Sequence, residues 1–268
     1  SLADGLAGLF QDHYQRMTPE EVQSAVTRIE RQALRELDAE ITVGTEPAQE
    51  GVMFGYAINL SRCKGIRRCV EACVAENNMG RDSGVQYIRV LELNRGERWL
   101  AQSEHYFDAE QVPQPGKYYM PVQCMQCANP PCVRACPVEA TWQEPDGITV
   151  IDYDWCIGCR YCMAACPYWA RHFNWQTPGA PAGQIIPDTH YLGNRPRPRG
   201  VVEKCTFCVQ RTRKGRLPAC LEACPTGARV FGNLLDPKSD IRYVLENKTV
   251  FRLKEELGTE PRFWYFAD

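Results

Sequence analysis

The sequence has no run of 18 apolar residues, so no segment is long and apolar enough to cross a membrane as a helix. It shows no basic, apolar and small-residue succession of a signal peptide. It begins at Ser1, which is compatible with a removed initiator or leader. An excess of one charge is also lacking. The net charge of −2 gives no general pull toward nucleic acid or anionic lipid. Histidine is scarce: His13, His105, His172 and His190 stand at no ligand spacing and read as ordinary surface or core residues. No nucleophile–base pair, phosphate-binding loop or substrate-pocket motif is present, which leaves no side-chain catalysis to assign. The first 50 residues lack cysteine altogether.

Cysteine is what the rest of the chain has. There are 15 in 268 residues, an odd number in a chain too long to need a disulfide framework. They fall into four runs. The third, Cys156-Ile-Gly-Cys159-Arg-Tyr-Cys162-Met-Ala-Ala-Cys166-Pro167, is a complete C-x2-C-x2-C-x3-C-P, the bacterial ferredoxin pattern for iron–sulfur clusters. The first, Cys63-Lys-Gly-Ile66-Arg-Arg-Cys69-Val-Glu-Ala-Cys73, matches it at three of four positions, with Ile66 where the second cysteine belongs. The second is Cys124, Cys127, Cys132 and Cys136-Pro137, and the fourth is Cys205, Cys208, Cys220 and Cys224-Pro225.

The stretches between the runs suggest an α+β chain. Residues 1–50 read as an N-terminal helical extension. Thr18-Pro19-Glu20-Glu21 is a helix start, and Val22, Val26, Ile29, Ala33 and Leu37 recur at helical spacing. That helix packs on the main body or docks a partner. Residues 45–51 read as a linker. Residues 51–117 hold the first run and an insertion, with a strand at Phe54, Tyr56, Ile58 and Leu60, another over 85–93, and a polar excursion over 94–117. Residues 118–176 have the layout of a small dicluster module: strand, run, hairpin through Pro145-Asp146-Gly147, run. Residues 177–200 read as a surface loop whose Arg195, Arg197 and Arg199 form a solvated face, with a contact to a partner or to the cluster region as the alternative. Residues 201–235 hold the fourth run. Residues 236–268 read as a tail with helices over 239–246 and 250–257, ending in Phe263-Trp264-Tyr265-Phe266 as core cover or subunit contact.

In two-cluster ferredoxins the fourth cysteine of each run serves the other cluster. Runs two and three are joined by the hairpin and therefore pair. Cys124, Cys127 and Cys132 take Cys166, while Cys156, Cys159 and Cys162 take Cys136. Runs one and four then pair across the chain. Cys205, Cys208 and Cys220 take Cys73, while Cys63 and Cys69 take Cys224. One dicluster module is thus inserted between the halves of the other. The sum uses all 15 thiols as 4 + 4 + 4 + 3. An isoleucine cannot bind iron, so three 4Fe-4S clusters and one 3Fe-4S cluster are expected. A full cubane with water or hydroxide on the open iron is the alternative. Zinc is the competing metal, but C-x2-C-x2-C and C-x3-C-P exceed what two zinc knuckles use. Lys64, Arg67, Arg68, Arg211 and Arg213, near runs one and four, are expected to raise local potentials, weakly where exposed.

Over about residues 53–235 the sequence resembles the four-cluster iron–sulfur subunits of membrane-bound oxidoreductases. These include polysulfide, tetrathionate, dimethyl sulfoxide and nitrate reductases and complexes of the alternative complex III type. The resemblance rests on the four runs in order, Cys136-Pro137-Val-Glu-Ala, Cys156-Ile-Gly-Cys159, Glu203-Lys-Cys205-Thr-Phe-Cys208 and Cys224-Pro225-Thr-Gly-Ala. It implies electron relay between a polytopic quinone-interacting membrane subunit and a partner that is either a molybdopterin-type catalytic subunit or a multihaem cytochrome. It places the Cys156 cluster toward the membrane and the Cys63 cluster at the far end. In nitrate reductase relatives the missing cysteine is in the third run; here it is in the first. A peripheral position on the membrane follows, with the outer, periplasmic face expected and the cytoplasmic face as the alternative. A soluble polyferredoxin-like carrier is the competing function.

Overall fold

The computed structural model describes residues 17–81, 84–97, 99–176 and 182–268. His13, the start of the N-terminal extension and residues 177–181 of the expected loop lie outside them. Among the described residues no helix is long and apolar enough to cross a membrane.

The centre is strand β2 (Phe54–Asn59), buried along its whole length. Its alternation serves two layers. Phe54, Tyr56 and Ile58 face the main core, while Ala57 meets Ile241, Val244 and Phe266 on the other side. Strand β10 (Arg229–Asn233) lies antiparallel on one edge, and β12 (Phe263–Phe266) lies parallel on the other. The first and fourth cysteine runs are therefore held together by one sheet although over 130 residues separate them. The aromatic tail is core: Phe263 and Tyr265 are fully buried, and Phe263 stacks on Tyr56 at 5.1 Å.

Flanking elements are short. Helix α1 (Pro19–Leu37) has the capping box the sequence predicts, with the Thr18 hydroxyl accepting from the Glu21 N–H. Val26, Ile29 and Ala33 pack on Ile41 and Val43, so the helix docks on its own chain. Strand β1 (Thr42–Gly44), β3 (Arg89–Asn94) and β4 (Lys117–Val122) follow; β3 and β4 pair antiparallel. The expected hairpin is β5 (Thr141–Gln143) and β6 (Thr149–Ile151). Two-residue strands β7 (His172–Phe173) and β9 (Val202–Glu203) pair antiparallel and join the end of run three to the start of run four.

Three expectations are corrected. Within 177–200, the segment Asp188–His190 is a strand, β8, paired parallel to β1. Arg195 and Arg197 are each 3% exposed, not a solvated face. Arg195 reaches Asp154 at 3.1 Å, and Arg197 donates to Glu203 at 2.5 Å, which neutralises each charge on burial. The expected helix over 250–257 is strand β11 (Val250–Phe251) followed by a single 3-10 turn at Glu255–Leu257. The pairing of β11 with β12 captures a β-branched and an aromatic residue, and Lys254 turns left-handed at φ 54°.

His190 is fully buried in β8. One ring nitrogen, Nε2, donates to the Glu46 carbonyl at 3.0 Å, and the other, Nδ1, accepts from the Leu192 N–H at 3.1 Å. A second ring proton would face that N–H. Burial accordingly pushes the imidazole pKa down to about 4. The folded value lies below the unfolded one, so the unfolded chain binds more protons between them. Stability is full above pH 6.5 and falls as pH drops toward 4. Between pH 7 and 5, His190 should remove about 2 kcal/mol. Anaerobic thermal scans of wild type and His190→Gln at one fixed rate, at pH 7 and pH 5, check this: the gap between the two apparent midpoints should narrow on acidification.

Candidate metal centres

The ligand loops owe their shape to residues that accept a left-handed backbone. In run three, Gly158 has φ 69° and Arg160 has φ 64° and ψ 6°. A Cβ on Gly158 would collide with the Gly200 carbonyl. In run one, Gly65 has φ 75° and Arg67 has φ 63° and ψ 5°. The two loops follow the same path, so Ile66 stands where Cys159 stands. Each loop then enters a helix, α2 (Arg68–Glu76) in run one and α4 (Tyr161–Ala165) in run three. The other runs supply α3 (Pro131–Arg134), α5 (Val209–Thr212) and α6 (Ala219–Glu222). Helix α2 packs on α6, and α3 packs on α4, which brings run one to run four and run two to run three.

Four groups of thiols result. Cys63, Cys69 and Cys224 line one cavity with Ile66 and Arg229. Cys136, Cys156, Cys159 and Cys162 line another with Arg171. Burial raises Cys127 to about 12, with Cys124, Cys132 and Cys166 as the neighbouring thiols. Burial also raises Cys73, whose neighbours are Cys205, Cys208 and Cys220. Side chains that bridge the groups set their order: Arg171, in the Cys156 cavity, reaches Cys132 Sγ; Gln126 of run two donates to the Cys205 carbonyl at 2.8 Å; and Arg229, in the Cys63 cavity, lies 3.8 Å from Cys220 Sγ. The groups thus run in a row: Cys156 group, Cys124 group, Cys205 group, Cys63 group.

Thiols so buried stay protonated and inert unless a cation draws the proton off. Cys63 is raised to about 11 and Cys205 to about 12, chiefly by burial. Cys224 is the exception: hydrogen bonds from Thr226 and Ala228 outweigh its burial and lower it. Hydrogen bonds are aimed at sulfur elsewhere as well. Arg171 Nη2 donates to Cys132 Sγ at 3.0 Å, Asn77 to Cys73 Sγ at 3.5 Å, and the Phe207 N–H to Cys205 Sγ at 3.4 Å. Arg171 Nε and Nη1 and Arg229 Nη2 are buried donors with no partner among the described residues. They border the thiol cavities. Soft thiolates with unspent donors around them suit an anionic iron–sulfide core. Among the described residues no three His, Cys, Asp or Glu side chains converge on a position for a single ion. A tetrahedral zinc would draw its sulfurs to roughly 3.8 Å of one another.

The basic residues singled out from sequence are mostly committed to other partners. Arg211 bonds Glu76 at 3.0 Å and also contacts Glu222. Arg213 bonds Asp146 at 2.9 Å and Glu144 at 3.1 Å. Arg68 pairs with Glu71 on the surface, Arg67 bonds Gln86 and the His105 carbonyl, and Lys64 bonds the Ser61 carbonyl. Charges paired with carboxylates, as in Arg68, Arg211 and Arg213, lend the centres little potential, whereas Lys64 and Arg67 bond only neutral oxygens and line the Cys63 cavity. The fully buried cations at the thiols are Arg171, Lys204 and Arg229, which sequence reasoning missed. A signal existed: Cys166-Pro-Tyr-Trp-Ala-Arg171 and Cys224-Pro-Thr-Gly-Ala-Arg229 repeat an arginine five residues after the last cysteine of a run.

Comparison with known proteins agrees with this chemistry. A family described as a 4Fe-4S dicluster domain matches residues 116–198 and 190–234. The iron–sulfur cluster-binding subunit of a menaquinone reductase from Nitratidesulfovibrio vulgaris is 38% identical, over 81% of this chain and 89% of its own. The iron–sulfur subunit of an arsenate respiratory reductase from a Shewanella species is 35% identical, over 79% and 95%. A subunit of the polysulfide reductase of Wolinella succinogenes is 34% identical, over 79% and 92%.

Proposed function

Because the chain belongs to the family of iron–sulfur subunits of dimethyl sulfoxide, polysulfide, tetrathionate and related reductases, we propose that it is the four-cluster electron-transfer subunit of a membrane-associated respiratory complex. The observation that carries this reading is the row of four thiol groups. In it, Cys136, Cys156, Cys159 and Cys162 hold one 4Fe-4S cluster. Cys124, Cys127, Cys132 and Cys166 hold the second, and Cys73, Cys205, Cys208 and Cys220 the third. Cys63, Cys69 and Cys224 hold a 3Fe-4S cluster. Such clusters supply one-electron transfer when bound. The chain's own part is to fix the thiols, exclude water and aim donors at sulfur. The pairing of β2 with β10 around the inner hairpin supports a dicluster module inserted within another.

The partners in this reading are a quinone-reactive membrane subunit and a molybdopterin-type or haem-containing subunit, on the outer face of the membrane. Trp155, Ile157 and Tyr161, each at least 51% exposed, surround the Cys156 end of the row and suit a protein contact there. Iron analysis and EPR of the anaerobically purified full chain test the reading. About 15 irons per chain and an oxidised three-iron signal are expected, from 3 × 4 + 3. Sixteen irons without that signal would remove the three-iron assignment. A chain isolated without partners and without membrane association would favour a soluble polyferredoxin-like carrier.

A further inference from the structure

Three cations are buried among the thiols: Lys204 is 1% exposed, Arg171 4% and Arg229 6%. Unlike Arg197, Arg211 and Arg213, none of them has a carboxylate partner among the described residues. A guanidinium buried without a counter-charge is strongly unfavourable and cannot shed its proton, so an anion must stand beside Arg171 and Arg229; burial lowers the Lys204 amine, which keeps its proton only where an anion offsets that burial. Among the described residues, the groups placed to carry one are the cysteine sulfurs and whatever they hold.

Their positions follow the row. Arg171 lines the cavity of the Cys156 group and donates to Cys132 Sγ of the Cys124 group at 3.0 Å. Its other bond is to Thr141 Oγ1 at 2.9 Å. Lys204 donates to the Cys205 carbonyl at 2.8 Å and to the Thr149 carbonyl. Thr149 is tied to run two, since its N–H donates to Gln126 Oε1 at 2.8 Å and Gln126 donates to the Cys205 carbonyl at 2.8 Å, so Lys204 stands between the Cys124 and Cys205 groups. Arg229 borders the cavity of the Cys63 group and lies 3.8 Å from Cys220 Sγ of the Cys205 group. It is steadied by Gln123 Oε1 at 3.0 Å and the Tyr56 hydroxyl at 3.2 Å. Each gap between neighbouring groups holds one cation.

We propose that Arg171, Lys204 and Arg229 set the reduction potentials of this chain, each raising the two clusters between which it stands. The inference rests on the four-cluster reading. Adding an electron makes a cluster more negative, and a positive charge fixed within a few ångströms in a dry interior favours that reduced form. A cation in the gap acts on both sides. It therefore raises both neighbours, the nearer one more, and leaves the repulsion between two reduced clusters as it was.

EPR-monitored redox titration of the full iron-loaded chain tests this. Arg229→Gln should lower the three-iron cluster and the Cys205 cluster by at least tenfold in the reduction equilibrium, about 59 mV for one electron. Arg171→Gln should lower the Cys156 and Cys124 clusters and leave the three-iron signal in place. Lys204→Gln should lower the two middle clusters. Arg171→Lys, Arg229→Lys and Lys204→Arg keep the charge and should hold the potentials near wild type. If a glutamine variant fails to load iron, the charge-keeping variant at that position is read instead, lysine for Arg171 and Arg229 and arginine for Lys204, and a tenfold fall there overturns the proposal. Potentials that do not move, or that move equally at all four clusters, also overturn it. A wild-type chain without four clusters would overturn the four-cluster reading itself, which is a separate result from iron-loaded variants with unmoved potentials.

Discussion

Arg213→Met should destabilise the iron-loaded chain by about 3–5 kcal/mol, the range for removing one partner of a buried ion pair. The Arg213 side chain is 1% exposed, and Asp146 opposite it is 0% exposed. Its three donor nitrogens reach Asp146 at 2.9 Å, Glu144 at 3.1 Å and the Glu46 carbonyl at 3.0 Å. Removing the guanidinium strands the Asp146 carboxylate in a dry interior. It also cuts the clamp between the insertion of run four and the hairpin turn of the inner module. The same turn accepts from the Phe54 N–H at 3.0 Å, so the loss reaches the first residue of β2. In a chain of this size the apparent thermal midpoint should fall by roughly 6–20 °C. Arg28→Met is the control. Its pair with Asp154 has side-chain exposures of 56% and 25% and should be worth about 1 kcal/mol or less. Asp146→Asn placed on Arg213→Met should recover part of the loss, because the fully buried one of the two carboxylates is then neutral, while Glu144 at 14% exposure keeps some access to water. Scans at one fixed rate under anaerobic conditions make the comparison, since cluster loss makes unfolding irreversible. A drop no larger than that of Arg28→Met would show that the clamp is not the source of stability.

That clamp also shows where sequence reading stops. Arg213 and Asp146 are 67 residues apart, and a charge pattern along the chain cannot pair them. Arg195 and Arg197 misled for the same reason. Three arginines among prolines read as a solvated stretch, whereas Asp154 and Glu203 fold in to neutralise two of them. Strands β1 and β8 are three residues each, too short to show a period, and their pairing across some 145 residues is tertiary. Features set by neighbouring residues were legible: the capping box at Thr18, the hairpin at 145–147, the alternation from Phe54, and helix α7 (Asp240–Asn247) in the tail. The four cysteine runs were legible because ligand spacing is itself a local pattern. The cations among them were not, because a lone arginine or lysine carries no mark of burial. Only the repeated arginine after Cys-Pro hinted at one.

Ile66→Cys should raise the iron content from about 15 to about 16 per chain and abolish the oxidised three-iron signal. Ile66 lines the cavity of Cys63, Cys69 and Cys224. The backbone on either side of it repeats that around Cys159: φ 75° and 69° at the preceding glycines, φ 63° and 64° at the following arginines. A thiol at position 66 therefore leaves the chain in the direction that Cys159 does. The side chain it replaces is only half-buried, so the packing lost is small beside the ligand gained. A fourth thiolate adds negative charge at the end of the row, and the potential of that cluster should fall. The direction matters because Arg229, which lines the same cavity, opposes it. I66C together with Arg229→Gln should lower the potential further than either change alone, while I66C with wild-type Arg229 should retain part of the original value. Iron analysis, EPR and a redox titration on the same anaerobic preparation read all three quantities. An I66C chain that keeps about 15 irons and the three-iron signal would show that residue 66 does not face the open corner of the cluster.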